Sequence, residues 1–378
     1  MINPHPEFPL EIVHLNHAAV GPWPRRTVAA VECFARENLV SGSRHYGKWL
    51  ETEQSLREAM ARLVNAESAD DIALMKSTSE ALSVVAYGID WRAGDSIVFG
   101  RQEFPSNRVV WESLAPRFGI EARPVDLYGT VPPEEALLQA IDGSTRLLSV
   151  SSVQYDTGYR MDLRRLGLAC RERGILFCVD AIQSIGAFPF DVAEIYADFA
   201  MADGHKWMLG PEGLAFFYCS PEQRPRVRLN QFGWHMLAEQ QDYQRTDWAP
   251  AADARRFECG SPNLLAAHAL QASLSLLEET GIPAVSRAIS ANVSFLYGEL
   301  QALGVETVTA SDPGKRAGIV TFRVPGDDGR SLYRHLMRQG VLCAHRGGGV
   351  RFSPHFYTPH DAMVRALDHI AEHLARRV

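Results

Sequence analysis

An acid and an amine lie at the ends of two apolar segments in the middle of the chain. Asp180 ends the run 175–179, and Lys206 follows the run 199–202. Burying an unpaired ammonium is costly, so a lysine among apolar neighbours is uncommon. Burial also lowers the pKa of the amine, which lets it attack an aldehyde. We therefore expect either a reactive pair at the ligand-binding edge of a sheet or a structural salt bridge.

The pattern around this pair predicts the scaffold that positions it. Between residues 70 and 206, short apolar runs alternate with helical segments, which is typical of one mostly parallel sheet with helices on both faces. A further strand is expected at 214–219. The strands predicted before it span 72–75, 96–99, 120–127, 146–151, 175–179 and 199–202.

A helix start with hydroxyl side chains follows the first of these strands. Ser77 and Glu80 have capping-box spacing, which predicts a helix that runs through Ala86. The first turn of a helix offers free N–H groups and the positive end of the helix dipole. This segment is either an anion site suited to a phosphate or only a well-capped helix.

Three motifs in the centre of the chain carry a family resemblance. Residues 180–184 (DAIQS), 202–207 (ADGHKW) and 210–213 (GPEG) together resemble the class-V aminotransferase family, also called cysteine desulfurase-like. Members of this family use pyridoxal 5′-phosphate (PLP) on the fold-type-I scaffold. The resemblance implies an α/β fold with a mostly parallel sheet and a smaller α+β domain at the C-terminal end.

This family scaffold implies a division of the chain into three parts. We expect an N-terminal arm at 1–20, a large PLP-binding domain at 21–256 and a small C-terminal domain at 257–378. The arm and the first helix are expected to be able to pack against the small domain.

The resemblance also implies roles for the cofactor-binding residues. Lys206 becomes the Schiff-base lysine and the general base, and Asp180 becomes the partner of the pyridine nitrogen. A carboxylate there keeps the ring protonated, so that the ring can accept electron density. Thr78 and Ser79 are expected at the phosphate, and Phe104 is expected to stack on the ring.

The remaining cofactor contacts come from loops. Gln154 and Gln183 are expected near the phenolic oxygen of the cofactor, and His205 and Asp203 in the ADGHKW motif are also expected at the cofactor. Residues 257–263 (FECGSPN) resemble the family motif F-E-x-G-T-P-N. Its hydroxyl, here that of Ser261, reaches the phosphate of the neighbouring subunit, which implies a homodimer.

The substrate contacts are predicted at the two ends of the chain. Arg351, in the setting R-x-S, matches the family arginine that binds the α-carboxylate of the substrate, and an arginine binds a carboxylate through two parallel hydrogen bonds. Asn16 and His17 lie in a segment that resembles the family's N-terminal arm. They are either substrate neighbours or part of a surface arm held by Leu15.

The reaction expected first is transamination of an amino acid by a class-V aminotransferase. The alternatives are a C–S (β-elimination) lyase or cysteine desulfurase-like enzyme, an amino-acid epimerase and, more distantly, a non-catalytic PLP-fold protein. Desulfuration requires a mobile cysteine, and the nearest candidate, Cys343, lies in the apolar strand predicted at 341–344. Desulfurases also carry a histidine where Phe104 stands. The pattern as a whole looks closest to isopenicillin N epimerase-like members.

The composition narrows the class of protein further. The 378 residues carry a net charge of −7, which offers no basic surface for nucleic acid. No signal peptide or membrane span is expected, so a cytoplasmic location is expected. The six cysteines are scattered, and His345, His355 and His360 lack ligand spacing, so no metal site is expected. The loops 41–47 and 228–250 carry no recognisable code for the substrate side chain.

Overall fold

A seven-stranded sheet forms the centre of the molecule in the computed structural model, which describes residues 5–240, 242, 244 and 246–376. The strands of this sheet are β2 (Ile72–Met75), β3 (Ser96–Gly100), β4 (Glu121–Val125), β5 (Thr145–Ser151), β6 (Leu176–Asp180), β7 (Phe199–Asp203) and β8 (Ala215–Cys219). Their order across the sheet is β2-β8-β7-β6-β5-β3-β4. Only β8 runs antiparallel to its neighbours. The mostly parallel sheet predicted from the alternation is therefore confirmed.

Both faces of this sheet are buried. Along β6, Val179 belongs to one hydrophobic cluster and Cys178 to the other, and along β3 the same holds for Val98 and Phe99. Successive side chains of a strand point to opposite faces, so an uninterrupted apolar run is needed to cover both. This is why these strands were recognisable from composition alone.

Eleven α-helices are described, and most of them pack around the central sheet. Their bounds are α1 (Arg25–Ser41), α2 (Tyr46–Leu63), α3 (Thr78–Gly88), α4 (Ser106–Glu112), α5 (Ala115–Phe118), α6 (Pro133–Gln139), α7 (Leu163–Arg173), α8 (Leu264–Thr280), α9 (Ile282–Ala302), α10 (Arg330–Arg338) and α11 (His360–Ala375). Within the described residues, no helix has the length and apolar character that would let it cross a bilayer.

A second, antiparallel sheet lies in the C-terminal part of the chain. Its strands are β9 (Glu306–Thr307), β10 (Val320–Arg323), β12 (Ala344–Arg346) and β13 (Gly349–Phe352), in the order β12-β13-β10-β9. Arg346 pairs with Gly349, so only Gly347 and Gly348 connect β12 to β13. Both glycines have positive φ, at 60° and 72°, which a two-residue hairpin turn of this kind requires. The turn leaves no room for a longer loop between Arg346 and Arg351.

The N-terminal arm docks on this C-terminal part. Its strand β1 (Val13–His14) runs parallel to β11 (Val341–Leu342), which we had predicted as one strand with Cys343 and Ala344. The helix α1 is tied to α8, where Thr27 Oγ1 lies 2.6 Å from Ser273 Oγ. The division of the chain at residues 20 and 256 stays a prediction. Residues 1–4 of the predicted arm, 241, 243 and 245 of the loop 228–250, and 377–378 lie outside the described residues.

Candidate active site

A cavity of about 260 Å³ opens where β5, β6 and β7 end, between the arm, the start of α3 and the β12–β13 hairpin. This position follows from the parallel sheet, because strands that run side by side present their carboxyl ends at one edge. Nine of the residues predicted from the sequence line the cavity: Thr78, Ser79, Phe104, Asp180, Gln183, Asp203, His205, Lys206 and Arg351.

Asp180 and Lys206 share this cavity, and burial changes their pKa values in opposite directions. Burial raises the pKa of Asp180, even though its Oδ1 accepts a hydrogen bond from the Ile182 N–H at 3.1 Å. Burial lowers the pKa of Lys206, while the charge of Asp180 opposes this shift and that of Arg351 adds to it. Lys206 forms no ion pair within 4.0 Å with any described residue. The alternative of a structural salt bridge is therefore not realised.

A second buried carboxyl group lies beside Asp180, and the sequence analysis missed it. Glu103 accepts hydrogen bonds from the Ser151 N–H at 2.8 Å, from the Ser151 hydroxyl and from Gln154 Nε2 at 3.1 Å. Ser151 pairs with Asp180 across β5 and β6, and the charge of Glu103 adds to the raised pKa of Asp180. The sequence pattern could have revealed this residue. Glu103 is an acid that follows an apolar strand, and Asp180 is an acid at the end of another.

The start of α3 is capped as predicted, with one difference. The Ser77 hydroxyl accepts the Glu80 N–H at 3.2 Å, which confirms the predicted N-cap. The Glu80 carboxylate accepts the N–H of Lys76 at 2.6 Å, one residue earlier than the capping box predicts. The first helical N–H, that of Thr78, donates to Asp203 Oδ2 at 3.1 Å. Asp203 thus holds the start of α3 in place and accepts one of the N–H groups that have no partner within the helix.

Polar groups next to this helix start remain available for an anion. The Oγ1 of Thr78 and the Nδ1 of His205 are buried and have no hydrogen-bond partner among the described residues. The Ser79 hydroxyl donates to Ser106 Oγ at 2.8 Å, and both serines line the cavity. Burying a polar atom without a partner is unfavourable, so these atoms favour a ligand with several acceptor oxygens. A phosphate group has this chemistry.

The opposite part of the cavity offers an aromatic face. Phe104 is 41% exposed, and its ring centroid lies 5.7 Å from Lys206 Nζ. An edge-to-face contact with Tyr155, at 5.3 Å between ring centroids, fixes its orientation. Gln183 donates to the Ala18 carbonyl at 3.0 Å and accepts from Trp207 Nε1 at 2.9 Å. One N–H of its amide is still free to meet a ligand oxygen.

Two arginines reach the cavity from the β12–β13 hairpin. Arg351 is 2% exposed, and its Nη1 donates to the Tyr155 carbonyl at 2.5 Å, whereas its Nε has no partner among the described residues. Arg346 is exposed and donates to the neighbouring His345 carbonyl at 2.9 Å. Within the described part of the chain, neither guanidinium forms an ion pair. Burial and the charge of Arg346 lower the pKa of Arg351 to about 10.

Four predicted residues do not line the cavity. Gln154 lies behind it, bonded to Glu103, and the exposed Ser261 lines a separate cavity with Cys259. Asn16 contacts β13 through a bridge to Ser353. His17 is fully buried, with Nδ1 2.8 Å from the Ser353 carbonyl and Nε2 2.5 Å from the Tyr357 hydroxyl. The backbone of Asn16 and the side chain of His17 hold the arm in place, and the neighbouring residues Ala18 to Val20 line the cavity instead.

The donor set of the cavity fits PLP. The unpartnered groups of Thr78 and His205 suit the phosphate, and the face of Phe104 suits the ring. The amine of Lys206 suits the aldehyde, and the carboxylate of Asp180 suits a protonated pyridine nitrogen. The buried guanidinium of Arg351 is left for the carboxylate of a substrate.

Comparisons with known proteins identify the family. The model of the family "Aminotransferase class-V" matches residues 13–366. A protein of Methanothermobacter thermautotrophicus named as a probable cysteine desulfurase is 31% identical over 369 residues, which cover 96% of this chain and 87% of that protein.

Solved structures show the same fold at lower sequence identity. A variant of the enzyme C-DES with glycine covalently linked to its PLP cofactor matches with a TM-score of 0.90 and 23% identity, over 97% of this chain and 98% of that one. The cystine C–S lyase C-DES in complex with its product cysteine persulfide matches with a TM-score of 0.87 and 23% identity, over 96% and 98% of the two chains. The chain therefore belongs to the class-V aminotransferase family, whose members are PLP-dependent enzymes of fold type I.

Proposed function

We propose that this enzyme is a PLP-dependent C–S lyase, which removes a sulfur-bearing group from the β-carbon of an amino acid by β-elimination. The sequence alone had favoured transamination and held this reaction as the alternative. Support comes from the similarity to the probable cysteine desulfurase of Methanothermobacter thermautotrophicus and from the residues that surround the cavity.

The chemistry divides between the cofactor and the chain. When bound, PLP withdraws electrons from the α-carbon of an attached amino acid. The amine of Lys206 would hold the cofactor, and its lowered pKa suits it to accept the α-proton of the substrate. Asp180 keeps a proton on the ring nitrogen, and Arg351 fixes the α-carboxylate of the substrate. Orientation of this kind supplies several kcal/mol toward the barrier, within the ~7–11 kcal/mol available from proximity effects.

The positions of the cysteines are the observation that carries the proposal. All six lie in the described part of the chain, and none lines the cavity. Cys343, the nearest in sequence to Arg351, is buried, and burial raises the pKa of its thiol to about 12. The two-glycine turn between β12 and β13 contains no cysteine. Sulfur therefore leaves on a fragment of the substrate and is not transferred to a cysteine of this chain.

The two arginines of the hairpin indicate a class of substrate. Arg351 suits the α-carboxylate, while Arg346 offers a second, exposed guanidinium at the same cavity without a carboxylate partner among the described residues. A disulfide or thioether amino acid with a second carboxylate would use both. Cystine is the simplest such compound, and its elimination with one water gives pyruvate, ammonia and cysteine persulfide.

Product analysis tests the proposal. We expect the PLP-loaded enzyme, supplied with cystine alone, to release pyruvate, ammonia and cysteine persulfide in equal amounts. Accumulation of a keto acid together with the pyridoxamine form of the cofactor would instead establish transamination. Cysteine as substrate, followed by a mass increase of one sulfur atom on the protein, would establish desulfuration. Inversion of the α-carbon without any release of sulfur would establish epimerisation.

We also propose that the enzyme acts as a homodimer with shared sites, and that it is divided into an arm, a large domain and a small domain at residues 20 and 256. Ser261 is exposed and lies outside the cavity of its own chain. This placement supports a role in the site of a partner subunit.

A further inference from the structure

We infer that α10 and α11 form a zinc-binding site from His335, His369 and Glu372. One possible ligand atom of each residue lies within 4.8 Å of the others. This group lies in the C-terminal part of the chain and shares no residue with the cavity around Lys206. The inference is therefore independent of the proposed reaction.

The arrangement follows from the two helices. His369 and Glu372 are three residues apart on α11, so they lie on one face of that helix, and His369 Nδ1 is 3.4 Å from Glu372 Oε2. His335 comes from α10, and its ring centroid lies 6.2 Å from that of His369. His373, one turn further along α11, has its ring centroid 5.3 Å from that of His335. A fourth ligand is thus within reach, and a water molecule is the alternative.

The state of His335 is the second observation that points to a ligand. The residue is 4% exposed, and its Nε2 has no hydrogen-bond partner among the described residues. A buried ring nitrogen without a partner is unfavourable, since its interaction with water is lost and not replaced. A bond to a metal ion would use this nitrogen.

The ligand types select the ion. Two imidazoles and one carboxylate match the tetrahedral sites that Zn²⁺ prefers, whereas Mg²⁺ and Ca²⁺ prefer oxygen ligands only. In a tetrahedral site with bonds of about 2.0 Å, neighbouring ligand atoms lie roughly 3.3 Å apart. His369 Nδ1 and Glu372 Oε2, at 3.4 Å, already have this spacing, whereas the ligand atom of His335 would have to approach by up to about 1.5 Å. This is feasible because His369 is half-buried and Glu372 is exposed, so both side chains can change rotamer.

A second group of metal-type ligands provides a contrast. Glu53, His235 and Glu258 also place their ligand atoms within 4.8 Å of one another, and all three are buried. The guanidinium of Arg57, however, bonds both carboxylates. Both carboxylates are therefore already paired with a cation, and this group carries no metal proposal. No arginine or lysine forms an ion pair with Glu372 among the described residues.

Calorimetric titration of the PLP-loaded, tag-free enzyme with ZnCl₂, after dialysis against a chelator, tests the inference. We expect one zinc ion per chain, with at least tenfold weaker binding in His369→Ala and in Glu372→Gln. Both changes lie on accessible side chains, so the folded protein can be measured. His45→Ala is the matched control, because His45 also pairs with a glutamate, Glu37, at 2.8 Å but has no third ligand among the described residues. The zinc affinity of this variant should equal that of the wild type.

Cobalt provides a second measurement. Co²⁺ bound at this site should give the strong visible absorption of a tetrahedral complex, and that absorption should disappear in His335→Ala and in His369→Ala. Zinc affinity that is unchanged in both His369→Ala and Glu372→Gln, or the absence of zinc binding by the wild type, would overturn the inference.

Discussion

Burial gives Lys206 and Asp180 different protonation behaviour within one cavity. It lowers the pKa of the amine and raises that of the carboxyl group, and the charge of Glu103 raises the latter further. A lysine that loses its proton more readily serves both covalent attachment and proton removal. A cation beside Asp180 would favour its ionised form. A protonated ring nitrogen would be such a cation.

The substitution Asp180→Asn tests this argument. The amide would keep the side-chain shape and the acceptor for the Ile182 N–H but could not hold a proton on the ring nitrogen. We expect kcat to fall by several powers of ten, each equivalent to about 1.4 kcal/mol. Absorbance of the bound cofactor provides the control, since PLP content should stay close to that of the wild type. A kcat within tenfold of the wild type would contradict the role of Asp180.

Substitutions of the two arginines of the hairpin should differ in the substrates for which they lower kcat/KM. Arg351→Lys keeps a charge but loses the two-bond geometry, and kcat/KM should fall by roughly ten- to a hundredfold for every α-amino acid, as for a hydrogen bond between charged groups of ~1.5–3 kcal/mol. Arg346→Ala should lower kcat/KM for cystine, and it should leave kcat/KM almost unchanged for cysteine-derived substrates with one carboxylate. Equal losses of kcat/KM for both kinds of substrate in Arg346→Ala would remove the second carboxylate from the account.

The residue types at the cavity were largely predictable, whereas their partners were not. Motif spacing led to Asp180, Lys206 and Arg351, which all line the cavity. It gave no information on Glu103, because the segment was interpreted only for the ring of Phe104. For His17 it left two alternatives, a substrate neighbour or part of a surface arm held by Leu15. The actual contact of His17 is with Ser353, 336 residues later in the sequence, and no local pattern reveals such a pairing.

At the scale of elements, the arm is held by a buried cluster of neutral histidines. The ring of His17 lies 4.5 Å from that of His14 and 5.0 Å from that of His355. Burial lowers the pKa of His14 to about 4 and that of His355 to about 3, and it also lowers the pKa of His17. The cluster joins the arm to the segment after β13 next to Trp207. Its protonation would therefore loosen an element that borders the cavity.

The sign of the pH effect follows from these shifts. An unfolded histidine takes up a proton as the pH falls below about 6.5, whereas these three stay neutral in the folded protein, so stability is lost on acidification. At pH 5.5 we expect each to reduce the free energy of unfolding by about 1.4 kcal/mol relative to pH 7.5, about 4 kcal/mol together. Urea unfolding at the two pH values measures this difference.

The substitution His355→Gln tests whether this cluster causes the pH dependence of stability. His355→Gln should reduce the pH dependence of the unfolding free energy by the contribution of one histidine, even if it lowers stability at both pH values. An unchanged difference in His355→Gln would show that the cluster does not carry the effect.

Elements with a strong local signal were predicted well. The apolar runs identified β5, β6 and β7, and the spacing of Ser77 and Glu80 identified the start of α3. The strand predicted at 341–344 instead divides into β11, which pairs with the arm, and β12, which belongs to the small sheet. Such a change of partner depends on contacts with distant segments. Hydrophobic periodicity does not contain that information.

At the scale of the whole molecule, a single chain leaves large apolar side chains in solvent. Leu39 is 85% exposed, Val40 77% and Phe232 64%. The exposure of these three side chains is consistent with contact to a partner subunit. Together with the exposed position of Ser261, it supports the proposed dimer.

Light scattering and cofactor titration test the dimer together. We expect a particle of twice the chain mass of 42.0 kDa. Ser261→Ala should weaken PLP binding by roughly tenfold, since a hydrogen bond to a charged group contributes ~1.5–3 kcal/mol. Ser290→Ala, on the exposed face of α9, is the matched control and should bind PLP as the wild type does. A monomer, or unchanged affinity in Ser261→Ala, would contradict the shared site.

The covalent attachment of PLP to Lys206 is the claim on which the rest of the account depends, and one measurement addresses it directly. The chain has only four lysines, at positions 48, 76, 206 and 315, so the attachment site can be identified without ambiguity. The PLP-loaded enzyme is reduced with borohydride, digested and analysed by mass spectrometry. We predict that the phosphopyridoxyl mass increase occurs on Lys206 alone and is absent in Lys206→Ala. A label on another lysine, or none at all in the loaded enzyme, would contradict the account.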